Sequence, residues 1–130
     1  FSGVSLVGSY TAGGGGGGGG GCTPSGTVLC SGSTVTSLSA STGNWSSIYS
    51  IVIPSGATQL TVVISGGSGD ADLYVRKGSA PSTSSYTCRP YLTGNNETCT
   101  ISSPTAGATY YIGVRAYATY SGVTLTATIP

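Results

Sequence analysis

Charge is what this sequence has least of. Only 5% of its 130 residues are Asp, Glu, Lys or Arg, where an ordinary soluble domain carries roughly 25%. Four cations and three carboxylates leave a formal net charge of +1. Four cations do not make the dense basic patch that a nucleic-acid partner requires, so no nucleic acid is expected. His is absent. That removes the side chain that titrates near neutrality and the commonest metal ligand, and with it most acid–base enzymes. No Ser has a His or a Ser-x-x-Lys motif to activate it, so no nucleophilic catalysis is read here. Met is also absent. No apolar run approaches the ~18 residues of a transmembrane helix, so no membrane span is expected.

What is present points to strands. Ser and Thr make up about a third of the chain, and Gly adds 23 residues. Helix formers are scarce, while Val, Ile, Thr and Tyr are plentiful. Hydrophobic residues reach 38% and recur periodically from residue 35 onward, so low charge does not mean disorder here. Four cysteines in a small Ser/Thr-rich chain predict two disulfides and an extracellular, secreted protein. The start at Phe1, with no initiator Met and no signal peptide, is what a mature, processed product would give.

Three parts follow from the pattern: an N-terminal extension (1–12), a poly-Gly linker (13–21) and a β domain (22–130). In the extension Val4, Leu6 and Tyr10 share one parity and Phe1 and Val7 the other, which reads as a lone strand. The nine glycines after it pack no side chain. If extended, they would span roughly 28 Å at ~3.1 Å per residue.

Cys22 and Cys30 then bracket a small loop that a local disulfide would anchor. Val35 and Leu38 mark a strand, residues 48–53 a second and Leu60, Val62 and Ile64 a third. The turn 66–69 leads to a fourth at 72–76. A long loop (78–96) carries Cys88. Strands at 98–101, 109–117 and 123–129 complete the set. Seven or eight short strands with Gly/Pro turns predict an all-β, antiparallel β-sandwich.

The residues Ile64-Ser-Gly-Gly-Ser-Gly-Asp-Ala-Asp-Leu-Tyr-Val-Arg76 are distinctive. Gly78-Ser-Ala-Pro81, Ser85-Tyr-Thr-Cys-Arg-Pro-Tyr91, Gly94-Asn-Asn-Glu-Thr-Cys99, Tyr110-Tyr-Ile-Gly-Val114 and Tyr120-Ser-Gly-Val123 follow. In this order and spacing they resemble the bacterial pre-peptidase C-terminal domain family over roughly residues 33–129. The resemblance implies a small jelly-roll-like sandwich. It also implies a role appended to secreted proteases, in substrate binding, secretion or maturation, without catalysis. It further implies that Cys88 and Cys99 pair. Read from the residues alone, a disulfide across that loop competes with a redox or metal site, which lacks both Cys-x-x-Cys spacing and a histidine.

Several site readings stand beside plainer ones. Asp70 and Asp72, with Glu97 and carbonyl oxygens, would form a calcium site. Alternatively Asp70 caps its turn and Asp72 pairs with Arg89 or Arg115. Asn44 and Asn96 head glycosylation sequons, and attached glycans would solubilise so uncharged a surface. Tyr91, Tyr117 and Tyr120 would stack on a ligand, or else close the ends of the sandwich.

The extension invites the boldest reading. Phe1, Val4, Leu6, Val7 and Tyr10 would add as a strand to the sheet edge of a neighbouring copy. A head-to-tail contact of that kind propagates a homo-oligomeric filament, free or on a bacterial cell surface. Two functions follow: a self-assembling structural subunit, or a protease-associated accessory domain that binds polymeric substrate or aids secretion.

Overall fold

The computed structural model describes residues 24–90 and 94–129. The extension, the glycine linker and the assembly residues Phe1, Val4, Leu6, Val7 and Tyr10 fall outside them, as do Cys22 and Tyr91. The described residues hold seven strands and no helix. They are β1 (Val28–Leu29), β2 (Thr34–Ala40), β3 (Tyr49–Val52), β4 (Gln59–Ser65), β5 (Ser68–Lys77), β6 (Glu97–Ser102) and β7 (Thr109–Thr128).

Alternation explains the inward faces. In β4 Leu60, Val62 and Ile64 are fully buried, with Thr61 and Val63 between them half-buried. In β5 Ala71, Leu73 and Val75 face the core, and in the first half of β7 Tyr110, Ile112, Val114 and Ala116 do. Each large aliphatic buried this way stabilises the fold by ~1.5–3 kcal/mol.

The architecture turns on β7. Its first half pairs with β3 and β5, and its second half with β2 and β4. One layer therefore runs β1-β3-β7-β5 and the other β2-β7-β4-β6, with the core between them. The expected all-β sandwich is present, with two corrections. The strands expected at 109–117 and 123–129 are one strand of 20 residues. The segment Tyr120-Ser-Gly-Val123 bends the chain without reversing it. The second correction is that β1 pairs with β3 in parallel, so the pairing is mixed rather than purely antiparallel.

The bend is built from bulges. The β5–β7 register slips between Ser68 and Asp70 and again between Asp70 and Ala71. The β2–β7 register slips on either side of Leu38, where Ser37 has φ 61°. Each extra residue sharpens the local twist. The buried positions of β7 accordingly change parity, from the even series ending at Ala116 and Tyr120 to Val123, Leu125 and Ala127.

The start of β5 lies against this bend, at a distance only glycine permits. Gly67 has φ +70° and Gly69 has φ +96°; a Cβ on either would overlap the carbonyl oxygen of Ser121 or Thr119 respectively. We expect Gly69→Ala to destabilise the domain by more than ~2 kcal/mol in urea unfolding, from clash plus positive φ. Gly56→Ala, at φ +87° with open space around it, should cost only about 1 kcal/mol.

Candidate ligand-binding face

The outward residues of the first layer form a surface unlike any other on the domain. Opposite Gly113 of β7 stands Tyr74 of β5, and Trp45 bridges to Arg115 two pairs further along. The segment before β3 is fixed there by Ser46 N donating to the Val114 carbonyl (2.8 Å) and Val114 N donating to Ser46 Oγ (3.1 Å). Gly113 makes room for the indole: a Cβ there would sit 2.9 Å from Trp45 Cε3 and 2.8 Å from Ile48 Cδ1. Trp45 packs on Tyr74 with ring centroids 4.8 Å apart, tilted by 59°. Tyr86 meets Tyr74 edge-on at 5.7 Å. Arg89 completes the stack, with Cζ 4.8 Å from the Tyr86 ring centroid and 5.7 Å from that of Tyr74. Such cation–ring contacts add roughly 0.5–1 kcal/mol each at exposed sites.

The loop that brings Tyr86 and Arg89 here is tied to β5. Val75 N donates to the Cys88 carbonyl (2.9 Å), and Cys88 N returns to the Val75 carbonyl (2.9 Å). Cys88 is bonded to Cys99 of β6, Cα–Cα 5.9 Å, so the disulfide links the two layers beside the stack. Cys30 is also disulfide-bonded.

Exposed apolar area is segregated to this side. The large exposed hydrophobics among the described residues are Val28, Val52, Tyr86 and Tyr117, at 42%, 54%, 41% and 56% exposure. Val28 is paired with Ser50 and thereby with Tyr111 on the outward face, and Val52 shares that parity. Tyr117 stands at the end of the same face, where β7 bulges. All four cations, Arg76, Lys77, Arg89 and Arg115, also lie on β5, its following loop or the first half of β7. The second layer turns outward a charge-free lattice of hydroxyls instead. Thr34, Thr126, Thr61, Thr128, Thr98 and Thr100 occupy neighbouring register positions there.

The residues singled out from sequence fare differently. Tyr117 is on the face and exposed. Tyr120 is not a stacking residue: it is 1% exposed, and its hydroxyl donates to the Val114 carbonyl at 2.8 Å. Burial drives its pKa well above the usual tyrosine range. Asn44 and Asn96 are both exposed. Asn44 Nδ2 donates to Ser41 Oγ (2.7 Å), and Asn96 Oδ1 accepts from Gly66 N (3.3 Å).

Of the residues read as a calcium site, Asp72 and Glu97 are buried and Asp70 is half-buried. No three His, Cys, Asp or Glu side chains among the described residues are grouped to hold a metal ion. Asp70 Oδ1 accepts from Gly94 N (3.2 Å) and Glu97 Oε1 from Leu73 N (2.7 Å). Asp72 sits across from Arg115, and both Arg115 and Arg89 attract its charge.

Sequence reasoning missed Tyr86, Val28 and Val52, and named Arg89 only as a partner for Asp72. The available signal was Gly113, a glycine between Ile112 and Val114 in a strong strand, which marks a close approach. We expect Gly113→Ala to displace Trp45. Because Trp45 is the chain's one tryptophan, the emission shift on substitution reads this contact directly. The expected loss of stability is about 1–3 kcal/mol.

Comparison with known proteins matches this geometry to a family. The model of the bacterial pre-peptidase C-terminal domain matches residues 45–116. An extracellular protease of Xanthomonas campestris pv. campestris is 58% identical over 99 residues, covering 76% of this chain and 17% of that protein. A zinc metalloprotease of Helicobacter pylori is 49% identical over 102 residues, covering 78% of this chain and 39% of that protein. The chain thus spans well under half the length of these relatives. The solution structure of vEP C-ter 100 is 44% identical with a TM-score of 0.63, covering 78% of this chain and 97% of that one. The pre-peptidase C-terminal domain of a Bacillus anthracis collagenase shares the fold at 13% identity, with a TM-score of 0.60 over 83% of this chain and all of that one. The chain belongs to the bacterial pre-peptidase C-terminal domain family.

Proposed function

We propose that this chain is a non-catalytic, extracellular accessory domain of a protease, which holds polymeric substrate on the outer face of its first layer. The observation that carries the reading is the segregation of exposed apolar side chains to that face, opposite a hydroxyl-covered one. Soluble domains scatter exposed hydrophobics singly, whereas a concentration on one side marks a partner. The relatives support the setting, since they are proteases of which this chain matches a minor part. The absence of His supports a non-catalytic role.

A filament built by donating residues 1–10 is the weaker reading. It needs an open acceptor edge, and β5 does not offer one, since its amides at Ala71, Leu73, Val75 and Lys77 are already engaged. Calcium and glycans play no part in the proposed binding.

The test is retention of the chain on insoluble collagen, chitin and cellulose. Binding to at least one polymer is expected. Tyr86→Ala and Tyr117→Ala should each weaken it about tenfold, a loss of ~1.4 kcal/mol. Thr100→Ala on the opposite face should leave it unchanged. Equal loss from Thr100→Ala, or no retention on any of the three, would overturn the reading. Removing residues 1–21 should change neither retention nor particle size. Filaments of the full chain that vanish on truncation would restore the strand-donation reading.

A further inference from the structure

Among the described residues, the charge turned to solvent is mainly positive. Asp72 is 1% and Glu97 2% exposed, and Asp70 is half-buried. Lys77 is exposed, and Arg76, Arg89 and Arg115 are half-buried, all on the side of the aromatic face. Two of these cations have company of their own. Arg115 stands across from Asp72, and Arg89 lies over the Tyr86 and Tyr74 rings. Arg76 and Lys77 are held instead by neutral oxygens. Arg76 Nη1 donates to the Ala80 carbonyl (3.2 Å), and Lys77 Nζ to Thr105 Oγ1 (3.1 Å).

Arg76 stands at one end of the aromatic stack. It follows Tyr74 by two residues on β5, so both side chains leave the sheet on its outward side. Its register partner is Tyr111, which continues through Ser50 to Val28 in the same row. The loop that carries Tyr86 runs alongside, because Thr87 Oγ1 accepts from Lys77 N (3.0 Å) and Cys88 bridges to Val75. Ala80 takes one N–H of the guanidinium. The planar fork has further N–H groups, shaped for the two oxygens of a carboxylate. The contact with Ala80 also restricts a side chain whose freedom would otherwise be lost on binding.

The chemistry of this end selects a partner. Trp, Tyr and Arg together are the side chains that dominate binding energy where proteins meet proteins. The cations stand singly, which suits spaced carboxylates and not the continuous charge of a nucleic-acid backbone. The β5 edge beside them is closed, with the amides of Ala71, Leu73, Val75 and Lys77 engaged. A partner on this side is therefore read by side chains and not by main-chain pairing to that edge. On the accessory-domain reading above, we propose that the polymer held on this face is an acidic polypeptide, with a carboxylate docked on Arg76 and apolar side chains laid on Trp45 and Tyr86. Lys77, exposed at the end of the same strand, adds to the field that draws the carboxylate in.

The test follows the emission of Trp45, the chain's one tryptophan, as poly-L-glutamate is added to the full chain. The titration is run at low salt and about pH 7, where the polymer is ionised. A saturable change is expected, and poly-L-lysine should give none. Arg76→Gln should weaken the apparent affinity about tenfold and Lys77→Gln roughly two- to threefold. Arg76→Lys keeps the charge but not the fork, so it should recover only part of the loss. Salt at ~0.5 M should weaken binding as well, because screening shortens the reach of the charges. Thr100→Ala should change nothing. Urea midpoints of the variants separate binding from folding, and Lys77→Gln carries the test should Arg76→Gln not fold. A chain retained on collagen, chitin or cellulose that answers poly-L-glutamate and poly-L-lysine alike would overturn this inference and leave the accessory reading standing. A chain retained on none of them and silent to poly-L-glutamate would overturn both. Affinity for polygalacturonate equal to that for poly-L-glutamate would assign the face to acidic polysaccharide and overturn the polypeptide assignment.

Discussion

Everything in this domain hangs on one strand serving two layers. β7 pairs with β3 and β5 along its first half and with β2 and β4 along its second. It bends between the halves because two register slips against β5 and two against β2 force extra twist at the same place. The bend needs a neighbour with no side chain, and Gly67 and Gly69 supply it. Once the bend is set, the even-numbered side chains of the first half and the odd-numbered ones of the second point into a single core. The same bend closes Tyr120 inside, its hydroxyl tied to Val114.

A strand that joins two layers at one end leaves them free to part at the other. There β5 and β6 are the outer strands, and the chain holds them together with directional contacts. The Cys88–Cys99 bridge joins the layers covalently, at a worth of about 2–3 kcal/mol through the unfolded chain. Asn95 and Glu97 reach from the β6 side to the amides of β5. The scarce charge is concentrated here: Asp70, Asp72 and Glu97 all lie along this seam, with Arg89 and Arg115 facing them. A surface otherwise dressed in Ser and Thr needs few ions, so the few that remain mark where polarity is required in a dry place.

This arrangement also separates two outer faces. The second layer shows threonines at successive register positions, a surface that water solvates readily. The first layer shows Trp45, Tyr86, Tyr117, Val28 and Val52 around the Arg89 stack. That asymmetry supports the accessory-domain reading, and family membership agrees with it.

Much of this was legible in the residues. The alternation of Leu60, Val62 and Ile64, and of Val123, Leu125 and Ala127, set the inward faces of β4 and β7, because a pleated strand has a period of two. The glycine and proline punctuation set most strand limits, and the order of motifs set the family. What the sequence did not reveal is what depends on neighbours. Tyr117 and Tyr120 are both tyrosines of β7, three residues apart, yet one is exposed and one buried, because Tyr120 keeps the inward parity of Ala116 and Tyr117 has the opposite one. Tyr120-Ser-Gly-Val123 has turn chemistry and is a bend, because β2 and β4 continue the ladder on both sides. Asp72 and Glu97 lie 25 positions apart and meet only where the edges of two layers meet. Local periodicity was therefore determined by the sequence alone. Which side chains share a face, and which carboxyls are buried at the seam, was decided by tertiary pairing, because bulges and edge contacts are set by strands far away in the chain.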